Sequence, residues 1–137
     1  MSVSRFGSFS RHFFIFCLLG GLLTACGSSS PEGVVKDFYK AVADNRIEKA
    51  MSFISFEGAK ENELTMVQGK MQMIVGDQYS KIRKADGLKS IETKIVTQEG
   101  DTATVEATLT YGNGKNKTEK FHLGNEKGGW KIRLKSR

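Results

Sequence analysis

The sequence predicts an α+β domain, with three N-terminal helices packed on a curved four-stranded antiparallel meander. From residue 31 the apolar residues recur at helical spacing, and after Gly87 the period changes to two. Runs of helices followed by runs of strands are typical of helices covering one face of an antiparallel sheet. The 137 residues, 39% hydrophobic and 26% charged, suit one globular domain.

The first helix has the clearest start signal. Ser30 is the expected N-cap, Pro31 occupies the first helical position, and Glu32 lies in the positively polarised first turn. One face of this helix is predicted to be buried, and it carries Val34, Val35, Phe38, Tyr39 and Val42. Asn45 to Glu48 resembles a capping box that starts a second helix. The apolar face of that second helix would carry Ile47, Ala50, Met51 and Ile54.

Gly58 predicts a break before a third helix, from about Ala59 to Lys84. Its expected apolar stripe consists of Leu64, Val67, Met71, Ile74, Val75 and Ile82. Gly69 and Gly76 weaken this helix, each by up to about 1 kcal/mol.

Four strands follow, and the second has the cleanest alternation. The first alternates at Ile91, Thr93, Ile95 and Thr97 and ends at a turn over residues 99–101. The second is predicted to point Ala103, Val105, Ala107, Leu109 and Tyr111 inward. Gly112 to Gly114 forms a turn, and Phe121 and Leu123 mark the third strand. After a loop at residues 124–129, the last strand carries Trp130, Ile132 and Leu134 inward and Lys131, Arg133 and Lys135 outward.

The N-terminus has the organisation of a secretory leader. Arg5, Arg11 and His12 form a basic head without acidic residues, and an apolar run extends from Phe13 to Ala25. This run of 13 residues is shorter than the about 20 that a membrane-spanning helix needs. It fits the apolar core of a signal peptide, and without a polar face it would make a poor core helix.

The end of the run, Leu23-Thr24-Ala25-Cys26, resembles the lipobox of bacterial lipoproteins. The resemblance implies cleavage between Ala25 and Cys26 and attachment of acyl groups, such as palmitate, to Cys26. It divides the chain into a signal peptide at 1–25, a lipidated tether at 26–30 and a domain at 31–137. Secretion with cleavage nearby and an unmodified Cys26 is the alternative. Because Gly27 is not aspartate, the resemblance favours the periplasmic side of the outer membrane.

Cleavage would leave a mature chain without a free thiol. Cys17 leaves with the signal peptide, and Cys26 is blocked by lipid, so neither a disulfide nor redox chemistry is expected. The remaining 19 basic and 15 acidic residues give a net charge of about +4, which mildly favours an anionic membrane surface. Nucleic acid is not an expected partner in this compartment.

The domain resembles the nuclear transport factor 2-like, or cystatin-like, cone. The resemblance rests on the stretches 34–42 and 47–51 and on the closing strand Gly129 to Ile132. Within that superfamily the domain looks most like small bacterial lipoproteins that carry a domain of unknown function related to lumazine-binding-like proteins. The resemblance implies the fold of residues 31–135 but no single activity, since the superfamily includes isomerases, transport adaptors and non-catalytic domains. Dimers through the sheet are common on this fold, but the oligomeric state stays open.

No residue pattern identifies a reaction. His122, between Phe121 and Leu123, is expected to face outward with Lys120, and Asp37 and Asp44 flank Lys40 as on a solvated helix face. Glu106 lies on the threonine-rich face of its strand. No inward acid or base, no metal site and no cofactor is therefore predicted.

Three functions follow from these observations. The first is a non-enzymatic envelope lipoprotein that acts through a protein partner. The second is a carrier of a small lipophilic ligand, with Tyr111 and Trp130 lining the interior. The third is an isomerase-like enzyme on the same fold. The basic C-terminal end is expected to be a solubilising face, with contact to anionic lipid as the alternative, and it comprises Lys127, Lys131, Arg133, Lys135 and Arg137.

Overall fold

The computed structural model describes residues 30–127 and 129–134. The predicted leader and Cys26 lie outside this range, as do Lys135 and Arg137. The elements are α1 (Pro31–Ala43), α2 (Ile47–Met51), β1 (Ile54–Ser55), α3 (Glu61–Lys84), β2 (Leu88–Glu99), β3 (Thr102–Tyr111), β4 (Asn116–Glu126) and β5 (Gly129–Arg133). None of the described helices is long and apolar enough to cross a membrane.

The α+β architecture is confirmed, but the sheet formed by the described residues has five strands rather than four. Its order is β1-β5-β4-β3-β2, so β2 to β5 form the predicted antiparallel meander. The additional strand, β1, lies between α2 and α3 and pairs parallel to β5. The helices therefore do not form an uninterrupted N-terminal group of three. A two-residue strand has no periodicity of its own, which is why the pattern placed Ile54 on a helix.

The start of α1 is as predicted, whereas the capping box at Asn45 is wrong. The Ser30 hydroxyl accepts a hydrogen bond from the Gly33 N–H at 3.2 Å. Asn45 has a φ of 58°, and the next N–H, that of Arg46, donates to the Ala41 carbonyl at 2.8 Å. This geometry ends α1 with a left-handed residue in a Schellman-type turn. Asn45 therefore closes the first helix, and α2 begins at Ile47 without a side-chain cap.

Helix α3 begins two residues later than expected and buries less of its stripe. Gly58, with a φ of +88°, provides the predicted break. Only Val75 and Ile82 of the stripe are buried, and Ile74 is 51% exposed. The reason is the position of the helix: α3 packs mainly on α1 and α2, whereas α1 lies across the sheet against β2, β3 and β5.

The predicted alternation of inward and outward residues matches the burial observed on β3 but not that on β2. Ala103, Val105, Ala107 and Leu109 are all buried on the inner face, which is the face that α1 covers. On β2, however, Ile95 and Thr97 are exposed because this half of the edge strand extends past the core. The predicted loop at 124–129 is wrong, since β4 continues to Glu126. Leu134 was expected on the last strand, but it follows the end of β5 and is exposed.

Candidate functional site

The candidate site is a cleft of about 240 Å³ at one end of the core, where α1 and α3 meet β4 and β5. We call it the Glu119 cleft, because Glu119 is the one carboxylate among its described lining residues. The lining is Phe38, Tyr39, Ile54, Met71, Ile74, Gln78, Glu119, Lys120, Phe121, His122, Ile132, Arg133 and Leu134. Most of its inner wall is apolar or aromatic, with the rings of Phe38, Tyr39 and Phe121 in mutual contact. Such a lining favours apolar groups, with Glu119 as the polar exception.

Two donors hold the Glu119 carboxylate. The hydroxyl of Tyr39, a side chain that is 1% exposed, donates to Oε2, and Lys117 Nζ forms an ion pair with Oε1. Tyr39 is directed at β4 by its place on the buried face of α1. Glu119 lies opposite Ala107 in the sheet, and the small alanine leaves room for the carboxylate on the inner face.

The electrostatics of this trio keep the carboxylate ionised and the phenol protonated. Burial alone would raise the pKa of Glu119, but Lys117, the Tyr39 hydrogen bond and the charge of Lys81 outweigh it and lower the pKa. Burial, reinforced by donation to Glu119, raises the pKa of Tyr39 well above its usual range. The hydrogen bond to Glu119 raises the pKa of Lys117. A general acid or base works best with a pKa near the working pH, and all three groups are shifted away from neutrality.

The inward Glu119 was missed by the sequence analysis, although the sequence contains the signal for it. Phe121 and Leu123 were assigned to the inner face, and strand alternation then places residue 119 there as well. Because all residues from Lys115 to Lys120 are polar, they show no alternation of apolar and polar residues that would mark residue 119 as inward. The expectation that the inner face lacks a titratable group is therefore wrong for β4 while it holds for β3 from Ala103 to Leu109.

Tyr111 and Trp130, the expected ligand-lining pair, are both half-buried at the margin of the core. Tyr111 ends β3, opposite Leu88, whereas Trp130 pairs with Asn125 near the other end of the sheet, where β3 begins at Thr102. A ten-residue strand rises about 30 Å, so these two aromatic rings cannot line one small pocket. Neither residue lines the Glu119 cleft.

The other titratable candidates lie where solvated groups are expected. His122 is exposed, as predicted, with Nδ1 at 3.2 Å from Thr104 Oγ1. Asp44 is exposed and Asp37 is half-buried. Glu106 pairs with Lys94 at 2.9 Å, and that hydrogen bond lowers its pKa. In the described parts of the chain, no group of three or more His, Cys, Asp or Glu side chains is arranged to hold a metal ion.

A second polar contact that sequence reasoning missed lies on the outer face, near the β1 edge. The buried Ser55 hydroxyl donates to Glu126 Oε1 and accepts from the Glu57 N–H at 3.2 Å. Ser55 lines a groove of about 530 Å³ together with Gly58, Val67 and Leu134. The adjacent base of Ser55 is thus the Glu126 carboxylate, and no described lysine or histidine side chain is hydrogen-bonded to its hydroxyl.

The predicted basic end is partly engaged within the domain. Lys131 Nζ donates to the Ser52 carbonyl, and Arg133 Nη2 lies 3.9 Å from Glu57. Arg133 also covers Gly124, where a side-chain Cβ would lie 2.1 Å from its Nε. Of the five basic residues, Lys127 and Arg133 are exposed, Lys131 is half-buried, and the last two lie outside the described range. Contact of this end with anionic lipid stays a prediction.

A family model named Domain of unknown function (DUF4878) matches residues 24–133. The chain belongs to this family. The matched range begins at Thr24, so Cys26 lies within it. No curated protein is significantly similar to the chain.

Solved structures support the nuclear transport factor 2-like fold. A crystal structure from Campylobacter jejuni, of a protein provisionally named an NTF2-like transpeptidase, is 26% identical with a TM-score of 0.71. The alignment covers 77% of this chain and 99% of that one. A SEC-C motif-containing protein from Rhodopseudomonas palustris is 15% identical, with a TM-score of 0.52 and 77% of each chain covered. The second likeness concerns the fold alone.

Proposed function

We propose that this DUF4878 protein is a lipid-anchored, non-enzymatic module of the bacterial cell envelope, held at Cys26 and acting by binding a protein partner. The observation that carries the proposal is the lipobox placed immediately before the folded domain. Only residues 27–29 separate Cys26 from Ser30, which caps α1. An extended tether of four residues spans at most about 14 Å, so the domain would lie close to the membrane.

Several acyl chains on Cys26 would make the membrane anchor strong. Each buried methylene contributes about 0.8 kcal/mol, and one acyl chain alone gives only marginal binding. Two or three chains on Cys26 would hold the domain on the bilayer. With Gly27 next to the cysteine, the proposed location is the periplasmic side of the outer membrane, within a lumazine-binding-like group of lipoproteins.

Binding rather than catalysis is supported by the state of the inner face. Glu119 is tied to Tyr39 and Lys117, and its lowered pKa makes it a weak base. The Campylobacter protein is named a transpeptidase, and transpeptidation requires an activated nucleophile. Among the described hydrogen bonds, none joins a serine hydroxyl to a lysine or histidine side chain, and the Thr104–His122 contact lies on the exposed outer face of the sheet.

The two cysteines provide a matched test of the anchor. Cys26→Ser should abolish incorporation of labelled palmitate and release the chain from membranes, whereas Cys17→Ser should leave both unchanged. Native mass spectrometry of the protein extracted from its own membranes should give the mass of residues 26–137 plus acyl chains, with any partner as an adduct. An unlipidated chain that retains residues 1–25 would refute the proposal.

A second candidate function is a carrier of a small lipophilic ligand, and the apolar lining of the Glu119 cleft favours it. At about 240 Å³ the cleft is smaller than the about 300–1,000 Å³ typical of sites for drug-sized ligands. The expected ligand is therefore small, and it would contact Met71 and Ile74 rather than Tyr111 and Trp130. A small-molecule adduct lost in Met71→Asp but kept in the exposed control Met73→Asp would favour this function.

A further inference from the structure

Among the described strands, β2 lies at an edge of the sheet. It is 12 residues long, and within the described residues it pairs only with β3. A long exposed edge presents unpaired N–H and C=O groups that can accept another strand. Charged residues and bulges normally guard such edges. Here Lys89 and Lys94 lie on the strand, and a bulge lies between Ile95 and Thr97.

The hydrogen-bonding parity identifies which β2 residues face the free edge. The Tyr111 N–H donates to the Lys115 carbonyl across the β3–β4 turn. Along a strand, the backbone N–H groups point alternately to its two sides. The odd-numbered residues of β3 therefore form their backbone hydrogen bonds with β4, and the even-numbered residues form theirs with β2. Thr93 lies opposite Ala107 in the register. The N–H and C=O of Thr93 therefore point away from β3, and those of Ile91 and Ile95 do the same.

We propose that two copies of this chain pair antiparallel through β2, with the two-fold axis at Thr93. In this register Ile91 faces Ile95 of the partner subunit, and Glu92 faces Lys94 of the partner subunit. Thr93 then forms a hydrogen-bonded pair with Thr93 of the partner subunit, and Ile91 forms one with Ile95 of the partner subunit. Glu92 and Lys94 occupy non-hydrogen-bonded pairs, in which opposing side chains lie closest, at a Cα separation of about 4.5 Å.

The charges on β2 select this register over its neighbours. In an antiparallel pair of identical strands, opposed side chains lie on the same face of the sheet only if the axis passes through a residue. The alternative registers therefore differ from this one by whole residues. An axis at Lys94 would set Lys94 against its own copy, and an axis at Glu92 would do the same with Glu92. With the axis at Thr93, Glu92 lies opposite Lys94 of the partner subunit, and Lys94, which already pairs with Glu106 of its own chain, gains a second carboxylate neighbour. Glu92 has no ion pair among the described residues, so its carboxylate is available.

One feature of the monomer fits the same axis. Ile95 is an exposed apolar side chain, and the pairing sets it beside Ile91 of the partner subunit. The bulge lies beyond the five central residues 91–95, so it does not interrupt them.

A cysteine at the axis tests the geometry in the full chain in its own membranes. Opposed Cβ atoms of a hydrogen-bonded pair lie about 5.5 Å apart, which is wider than the about 3.5–4.5 Å of a disulfide, so a short bifunctional thiol cross-linker should give a covalent dimer of Thr93→Cys. The control is Thr118→Cys on the exposed outer face of β4, with the wild-type chain as background for Cys17 and Cys26. Dimers from Thr118→Cys but not from Thr93→Cys would indicate packing of two sheet faces and overturn the proposal. A Thr93→Cys chain that couples only to other proteins would also overturn it.

A charge reversal tests the register independently of cysteine chemistry. Glu92→Lys sets two lysines opposite each other on both sides of the axis, and we expect at least a tenfold weaker dimer by sedimentation of the detergent-extracted full chain. The double variant Glu92→Lys/Lys94→Glu restores opposite charges and should recover dimerisation. Both positions are exposed, so circular dichroism should show an unchanged fold. A wild-type chain that is monomeric at all concentrations, or a dimer that Glu92→Lys leaves unchanged, would exclude pairing at Thr93.

Discussion

The Tyr39 hydroxyl on α1 donates a hydrogen bond to the Glu119 carboxylate on β4, joining two residues 80 positions apart in the chain. The contact fixes the end of the helix layer to the sheet at the Glu119 cleft. Because the donor is almost fully buried and the acceptor is charged, its loss has consequences for stability that can be measured.

Tyr39→Phe should lower the free energy of unfolding by about 1.5 kcal/mol, the lower end for hydrogen bonds to charged groups. The lower end applies because Glu119 keeps Lys117 and some contact with water. Urea unfolding provides the measurement. Tyr111→Phe is the control, since the Tyr111 hydroxyl makes no hydrogen bond among the described residues, and it should change stability by less than about 0.5 kcal/mol. Equal losses in the two variants would contradict the hydrogen bond.

Glu119 should make the stability of the fold depend on pH in the acid range. Its pKa is lower in the folded protein than in the unfolded chain, where an ordinary glutamate titrates near about 4.3. The stabilisation is therefore complete above the unfolded pKa and disappears as the pH falls through the lower folded pKa. Wild type should exceed Glu119→Gln in stability at pH 7, and the difference should shrink between about pH 5 and pH 3. A difference that stays constant over this range would exclude the assigned charge state.

Helix α3 contains two isoleucines that should respond very differently to truncation. Ile82 is 2% exposed and Ile74 is 51% exposed. Ile82→Ala should cost about 2–5 kcal/mol, whereas Ile74→Ala should change stability by no more than about 0.5 kcal/mol. The comparison uses one residue type on one helix, so differences in helix propensity cancel. Similar costs would mean that the Ile74 side of α3 is covered in solution.

These residues show what could be predicted from the sequence. A helix that lies flat on a sheet repeats its burial every three to four residues, and α1 was therefore predicted correctly, from its Ser30 cap to the buried Val42. Ile74 was placed inside because α3 has the same period, but α3 packs on other helices and the sheet does not cover that side. Periodicity reports which residues share a face; it does not report how much of that face is covered.

The candidate site was harder to predict because it depends on long-range pairing. Alternation along β4 places Glu119 on the inner face, but its partner Tyr39 is known only once α1 is docked. Ser55 and Glu126 meet through β1, a strand too short to have a pattern. Asn45 was given to the wrong helix for a related reason, since asparagine favours both N-caps and left-handed C-terminal turns.

The residue after the proposed lipidated cysteine should determine which membrane holds the protein. In lipoproteins that this chain resembles, aspartate at that position retains the protein at the inner membrane of enterobacteria. Gly27→Asp should therefore move the chain from the outer-membrane to the inner-membrane fraction in such a host, and Gly27→Ser should leave it unchanged. Sucrose-gradient separation of the two membranes, with immunoblotting, gives the distribution. Equal sorting of the two variants would contradict the proposed location.

Gly112 and Gly69 should respond in opposite ways to the same substitution. A Cβ on Gly112 would lie 2.1 Å from the backbone oxygen of Asp86, whereas a Cβ on Gly69 would meet nothing within 4 Å. The Gly112 N–H also donates to the Gly87 carbonyl at 2.9 Å, so the two turns are held together at this point. Gly112→Ala must force the turns apart and should cost about 1–3 kcal/mol, as overpacking does. Gly69→Ala should stabilise the exposed helix α3 by about 0.5–1 kcal/mol. Thermal unfolding of both variants measures the difference in sign, and a neutral Gly112→Ala would show that the contact between the turns at Asp86 and Gly112 is looser in solution.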